Sequence, residues 1–172
     1  MRSADLFAKL RRLLLAAMAV TALAPAAGHA IGKADHVLVV KGEYRLYLMQ
    51  NEKVMQSFPV TFGANPKGHK QQQGDERTPE GRYSLGYKNP GSSFYKSIHI
   101  SYPNEQDRES ARKRGVSPGG DIMIHGQPNG WGKWSRVIQL FNWTDGCIAL
   151  SNRDMDVVWE SVSPGIPIDI RP

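Results

Sequence analysis

Residues 36–40, HVLVV, and 44–49, YRLYLM, are short runs of β-branched or alternating apolar side chains separated only by Lys41, Gly42 and Glu43. A period of two, broken by a glycine-containing turn, reads as a β-hairpin. The pattern continues in KVMQSFPVTFG at 53–63, where Pro59 fits an edge or a bulge because it has no N–H to give to a ladder. It resumes in RYSLGY (82–87), SIHIS (97–101), the apolar run ending at His125 and Gly126, GCIAL (146–150) and PIDIRP (167–172). Two segments read as helices. Residues 104–115 carry Asn104 as N-cap, Asp107 at the third helical position and Gly115 after a basic last turn, and 152–162 follow Ser151 with Asp154 three residues on. Many strands with only two short helices predict a mostly β domain, a sandwich or an open barrel, rather than an alternating α/β sheet.

Between these runs, residues 64–81 are polar and rich in turn formers. A loop of that length in a compact domain is usually functional or disordered, so this one is expected to border a site. Residues 127–143 are aromatic and glycine-rich without clean periodicity.

The first thirty residues pass from charged (Arg2, Lys9, Arg11, Arg12) through an apolar stretch to the small residues ending at Ala30, the order of a secretory signal peptide. The apolar stretch is broken by Pro25 and is shorter than the roughly 20 residues of a membrane-spanning helix, which favours a cleaved leader (1–30) over a retained anchor. Export to the periplasm follows. The remaining length suits one domain, expected to be a monomer. Those four basic residues, offset by Asp5, account for three of the six net positive charges, leaving a mildly basic domain that suits an anionic envelope polymer. The basic run at 111–115 reads as a solvated helix end, and no nucleic-acid partner is expected.

Cys147 is the only cysteine, so no internal disulfide can brace the fold. An unpaired cysteine is either a small hydrophobe or a reactive thiol. A thiol attacks carbonyl carbon as a thiolate, and a histidine supplies the base that forms it and the acid that protonates the leaving amine. His125, at a strand end before Gly126, is the candidate partner; pairing would hold part of the thiol as thiolate near neutral pH. Gly126 lets backbone approach the ring, and Gly146 lets successive backbone N–H groups face a developing oxyanion. The other histidines lack zinc-motif spacing, no phosphate loop is present, and no second cysteine can resolve a disulfide. No metal or cofactor is expected.

The segments IMIHG (122–126) and TDGCIAL (144–150), with histidine and cysteine 22 positions apart, resemble the catalytic signature of the YkuD-type L,D-transpeptidases, and GDERTPEGRYSL (74–85) is similar to an upstream segment of the same domain. The resemblance covers residues 34–172. It implies a YkuD-like mostly β fold, Cys147 as nucleophile, His125 as general base and acid, Gly146 and neighbouring amides at the oxyanion, and peptidoglycan stem peptides as substrate. Asp145 and Thr144 flank the site; Asp145 either orients His125 or shapes the turn. Many members carry arginine two residues after the cysteine, where this chain has Ala149; a YafK-like subgroup has a small residue there. Ala149 either marks a loss of acceptor control or packs where an arginine could not be buried.

Three readings result. The first is an exported cysteine acyltransferase forming a Cys147 thioester. The second is a peptidoglycan amidase or L,D-carboxypeptidase cleaving at meso-diaminopimelate, with an envelope protein linked to peptidoglycan as a further partner. The third is a peptidoglycan-binding module with an idle thiol, favoured if residues 125 and 147 lie buried and far apart.

Overall fold

The computed structural model describes residues 32–131 and 135–172; the leader expected at 1–30 lies outside them. Eight strands, β1 (His36–Val40), β2 (Arg45–Gln50), β3 (Lys53–Pro59), β4 (Gly81–Asn89), β5 (Ser97–Ile100), β6 (Met123–His125), β7 (Ile148–Ala149) and β8 (Pro167–Arg171), form one sheet in the order β3-β2-β1-β8-β4-β5-β6-β7. Two helices, α1 (Glu105–Lys113) and α3 (Asn152–Ser161), a single turn, α2 (Ser135–Ile138), and a 3-10 turn at Lys41–Glu43 accompany the sheet among the described residues. The expected mostly β class is the one observed, as a curled sheet.

The hairpin alternation translates directly into the core. Val37 faces Leu48 and Val39 faces Leu46 across β1 and β2, all fully buried. The last strand then runs parallel to β1 and antiparallel to β4, adding Ile168 and Ile170 to the same face. Helix α3 covers this core with Met155 and Val158, capped as expected by Ser151, whose Oγ accepts from Asp154 N–H. Helix α1 opens on a complete capping box of Asn104 and Asp107.

Residues 53–63 depart from expectation. Pro59 ends β3 on the edge of the sheet, and the chain beyond it leaves β2 for the opposite edge. Thr61 and Ala149 exchange both backbone hydrogen bonds, at 3.0 and 2.9 Å, and Phe62 O accepts from Thr144 N–H at 3.2 Å. One continuous run is thus split between two partners. The two ends of the sheet are bridged, and the bridge lands on the segment that carries Cys147.

Residues 64–80 are pinned at three places. Asp75 accepts from Lys70 Nζ (2.8 Å) and from the backbone N–H of Gln71, Gln72 and Arg77, which holds its carboxyl down at about 2. His69 accepts from Glu80 N–H and donates to Asp107, itself buried beneath the hydroxyl of Tyr83. Buried Lys41 donates to the carbonyls of Gly68 and Thr78 and pairs with Glu80. A polar sequence therefore makes an ordered loop, because His69, Lys70, Asp75 and Glu80 each meet a hydrogen-bonding partner.

Replacing Asp75 by Asn should cost about 3 kcal/mol at neutral pH, since it leaves the almost fully buried Lys70 ammonium without its counter-ion. Urea unfolding of the two proteins checks this. The carboxyl's low value means its contribution is present above about pH 4 and fades as pH falls toward 2, so the difference between the proteins should shrink in acid.

Candidate active site

Strands β6 and β7 run parallel, with Ile124 opposite Ile148 and His125 opposite Ala149. The two isoleucines fill the core, so by the two-residue period His125 and Cys147 share the other face. The 22 residues between them are closed by adjacent strands. The thiol lies against the main chain that leads into His125: Sγ accepts from Met123 N–H at 3.4 Å and is 3.6 Å from Asp121 O. A groove of about 610 Å³ adjoins it, lined by Lys70, Glu76, Ser117, Asp121 and Asp145.

What fixes the cysteine turn is backbone contact. Gly146 has φ of +120°, and a Cβ there would lie 2.5 Å from Arg77 O. Gly63 is tighter still: a Cβ would meet Glu76 O at 1.9 Å and Gly146 N at 2.9 Å. The loop expected to border a site thus packs directly onto the cysteine turn. Buried Thr144 closes that turn, its hydroxyl donating to Cys147 O (2.8 Å) and accepting from Gly146 N–H (3.2 Å). The Gly146 N–H that sequence reasoning offered to an oxyanion is therefore engaged by Thr144, and the glycine is required for space.

His125 is 2% exposed. Its Nδ1 lies 2.6 Å from the carbonyl oxygen of Gly126, which can only accept, so Nδ1 carries the proton and Nε2 keeps its lone pair. Gly126 contributes through this carbonyl and through its N–H, which donates to Tyr95 O. Asp145 is exposed, and the Nδ1 position it could have fixed is taken. Of its two readings, shaping the turn fits. Ala149 is fully buried, bonded to Thr61 and accepting from Gln139 Nε2 at 2.9 Å, an environment with no room for a charged side chain.

Burial lowers His125 to about 4 and, despite the Met123 N–H that favours thiolate, raises Cys147 to about 11. The resting pair is thiol and imidazole. The expectation of appreciable thiolate near neutral pH is corrected: an ion pair needs a solvated or charge-compensated thiolate, and here burial wins. Sequence reasoning missed the Gly126 carbonyl, Asp121 O and Met123 N–H, which are backbone groups and leave no mark in residue identity.

Residues 34–170 match the family described as YkuD, L,D-transpeptidase catalytic domain. The Escherichia coli (strain K12) protein YafK, named as an L,D-transpeptidase, is 27% identical over 155 residues, which cover 83% of this chain and 55% of that one. The crystal structure of the helical cell shape determining protein Pgp2 from Campylobacter jejuni superposes with a TM-score of 0.58 at 27% identity, covering 78% of this chain and 46% of Pgp2. An L,D-transpeptidase from Mycobacterium smegmatis shares the fold at 16% identity and a TM-score of 0.52, over 80% of this chain and 58% of that one. The chain thus spans about half the length of YafK and Pgp2.

Because the His125 imidazole is buried neutral, folding should weaken as pH falls from about 6.5, where the unfolded ring takes up a proton, to about 4, with a loss near 3 kcal/mol by pH 4. Urea unfolding of the protein and of His125→Gln across this range should show the variant losing less. Alkylation of Cys147 at pH 7.5 should run slower than that of an exposed thiol.

Proposed function

The chain belongs to the YkuD L,D-transpeptidase family, and from that premise we propose that it is an exported, periplasmic cysteine acyltransferase acting on peptidoglycan stem peptides. The observation that carries this reading is the pairing of β6 with β7, which sets a base with a free Nε2 on the same face as the thiol. A binding module with an idle thiol fits less well, because the two residues are not far apart in the sheet.

The chemistry follows from the resting protonation states. Cys147 Sγ adds to the carbonyl carbon of a stem-peptide amide while its proton moves to His125 Nε2, so that charge appears only as the carbon–sulfur bond forms. Imidazolium is stabilised at that moment by the Gly126 carbonyl on Nδ1. Collapse of the tetrahedral adduct breaks the carbon–nitrogen bond, and the departing amine takes the proton from Nε2, leaving a thioester. An amine or water then attacks, passes its proton to Nε2, and restores the thiol.

The hydrolytic version has its own support in Ala149, which gives the site no cation with which to hold an acceptor peptide. In that version the amide cleaved includes one joining an envelope protein to diaminopimelate.

Cys147→Ala should keep the parent's stability in urea within about 1 kcal/mol and should lose all turnover of muropeptides, because it removes one small side chain from a turn outside the hydrophobic core cluster. Product masses from a muropeptide donor with excess acceptor read the second step. Hydrolysed product should exceed cross-linked product, and a predominance of 3-3 cross-links would return the reading to plain transpeptidation.

A further inference from the structure

His125 is enclosed by two aromatic rings from segments remote in sequence. Phe94, from the loop joining β4 to β5, stacks on the imidazole with ring centroids 4.3 Å apart and planes 29° from parallel. Trp143, just before the cysteine turn, meets the same imidazole edge-on at 5.6 Å and 67°. The two also touch each other, at 5.8 Å, so the imidazole sits in the angle between them.

Neither ring is loosely held. Phe94 bridges to Pro128 and donates its N–H to Ser92 Oγ, while Asn129 donates its N–H to Ser93 O and its side-chain amide to Ser92 O. These bonds staple the Phe94 loop to the residues that follow His125. The main chain of Trp143 is fixed by its backbone N–H, which donates to Phe62 O in the segment that bridges the ends of the sheet, and its indole is held by packing alone, Nε1 being buried without a partner among the described residues. Only one hydrogen bond, from Nδ1 to the Gly126 carbonyl, restrains the ring from its own strand. One bond leaves the imidazole free to rock about that contact. Two packed rings remove this freedom and keep water from the ring faces.

We propose that Phe94 and Trp143 are positioning residues for His125, an aromatic clamp that fixes the imidazole plane and keeps it dry and uncharged, so that Nε2 is always available to take the thiol's proton. The inference rests on His125 being the proton acceptor proposed above. Its physical core concerns only the ring. Removing one clamp ring admits water beside the imidazole, stabilises imidazolium and lets the ring tilt, so the fraction of base that is neutral and aligned at mildly acidic pH falls.

The test is the titration of the His125 ring protons by NMR, identified by their loss in His125→Gln, in the parent protein, Phe94→Leu, Trp143→Leu and the ring-conserving Phe94→Tyr. The parent should show no midpoint above pH 5, each leucine variant a midpoint raised by at least one unit, and Phe94→Tyr a parent-like curve. On muropeptides, the acid limb of the kcat profile should move up in pH with the NMR midpoint. If Phe94→Leu does not fold, the Trp143→Leu curve decides. An unmoved His125 midpoint in a folded leucine variant overturns the clamp even if activity falls, since that fall would then be structural. A moved midpoint in a protein that never turns over muropeptides upholds the clamp and overturns the acyltransfer reading instead.

Discussion

Three backbone segments meet without side chains between them where Gly63, the Glu76–Arg77 peptide and Gly146 come together. The site depends on that contact. Gly63 belongs to the stretch that crosses from one edge of the sheet to the other, Glu76 and Arg77 to the long polar loop, and Gly146 to the turn that presents the thiol. Because a single Cβ at Gly63 would fall 1.9 Å from Glu76 O, their relative positions are set by hard contact rather than by adjustable side chains. Asp75, with its four bonds, makes the loop rigid enough for the contact to hold. Crossing strand, loop and turn are therefore one unit, and Cys147 rides on it.

Against that unit lies His125, buried and uncharged. Burial opposes charge on both His125 and Cys147; in the proposed mechanism the proton moves only when a carbonyl carbon is present to receive the sulfur. The Gly126 carbonyl decides which nitrogen of His125 carries the proton.

Much of this was legible in the sequence where the determinant is local. The hairpin at 36–49 needs only alternation and a turn, the cap at Asn104 only two side chains three residues apart, and IMIHG and TDGCIAL are the segments that β6 and β7 bring side by side. The reach of residues 60–63 to β7 was not legible, because β-branched residues run straight through Pro59 while their partners change. The protonation state was misread for a related reason: His125 and Cys147 suggest an ion pair by identity, but burial by Phe94, Trp143 and the core decides it. Those rings lie 31 positions before and 18 after the histidine in segments without periodicity.

The central claim is that Cys147 becomes acylated with His125 as its base, and intact-mass analysis of the protein quenched in acid during turnover of a stem-peptide donor tests it most directly. The account predicts an acyl adduct on the peptide containing Cys147, labile to hydroxylamine as a thioester is, and strongly diminished in His125→Gln. Product formed at full rate by a protein whose Cys147 has been blocked by alkylation would contradict it.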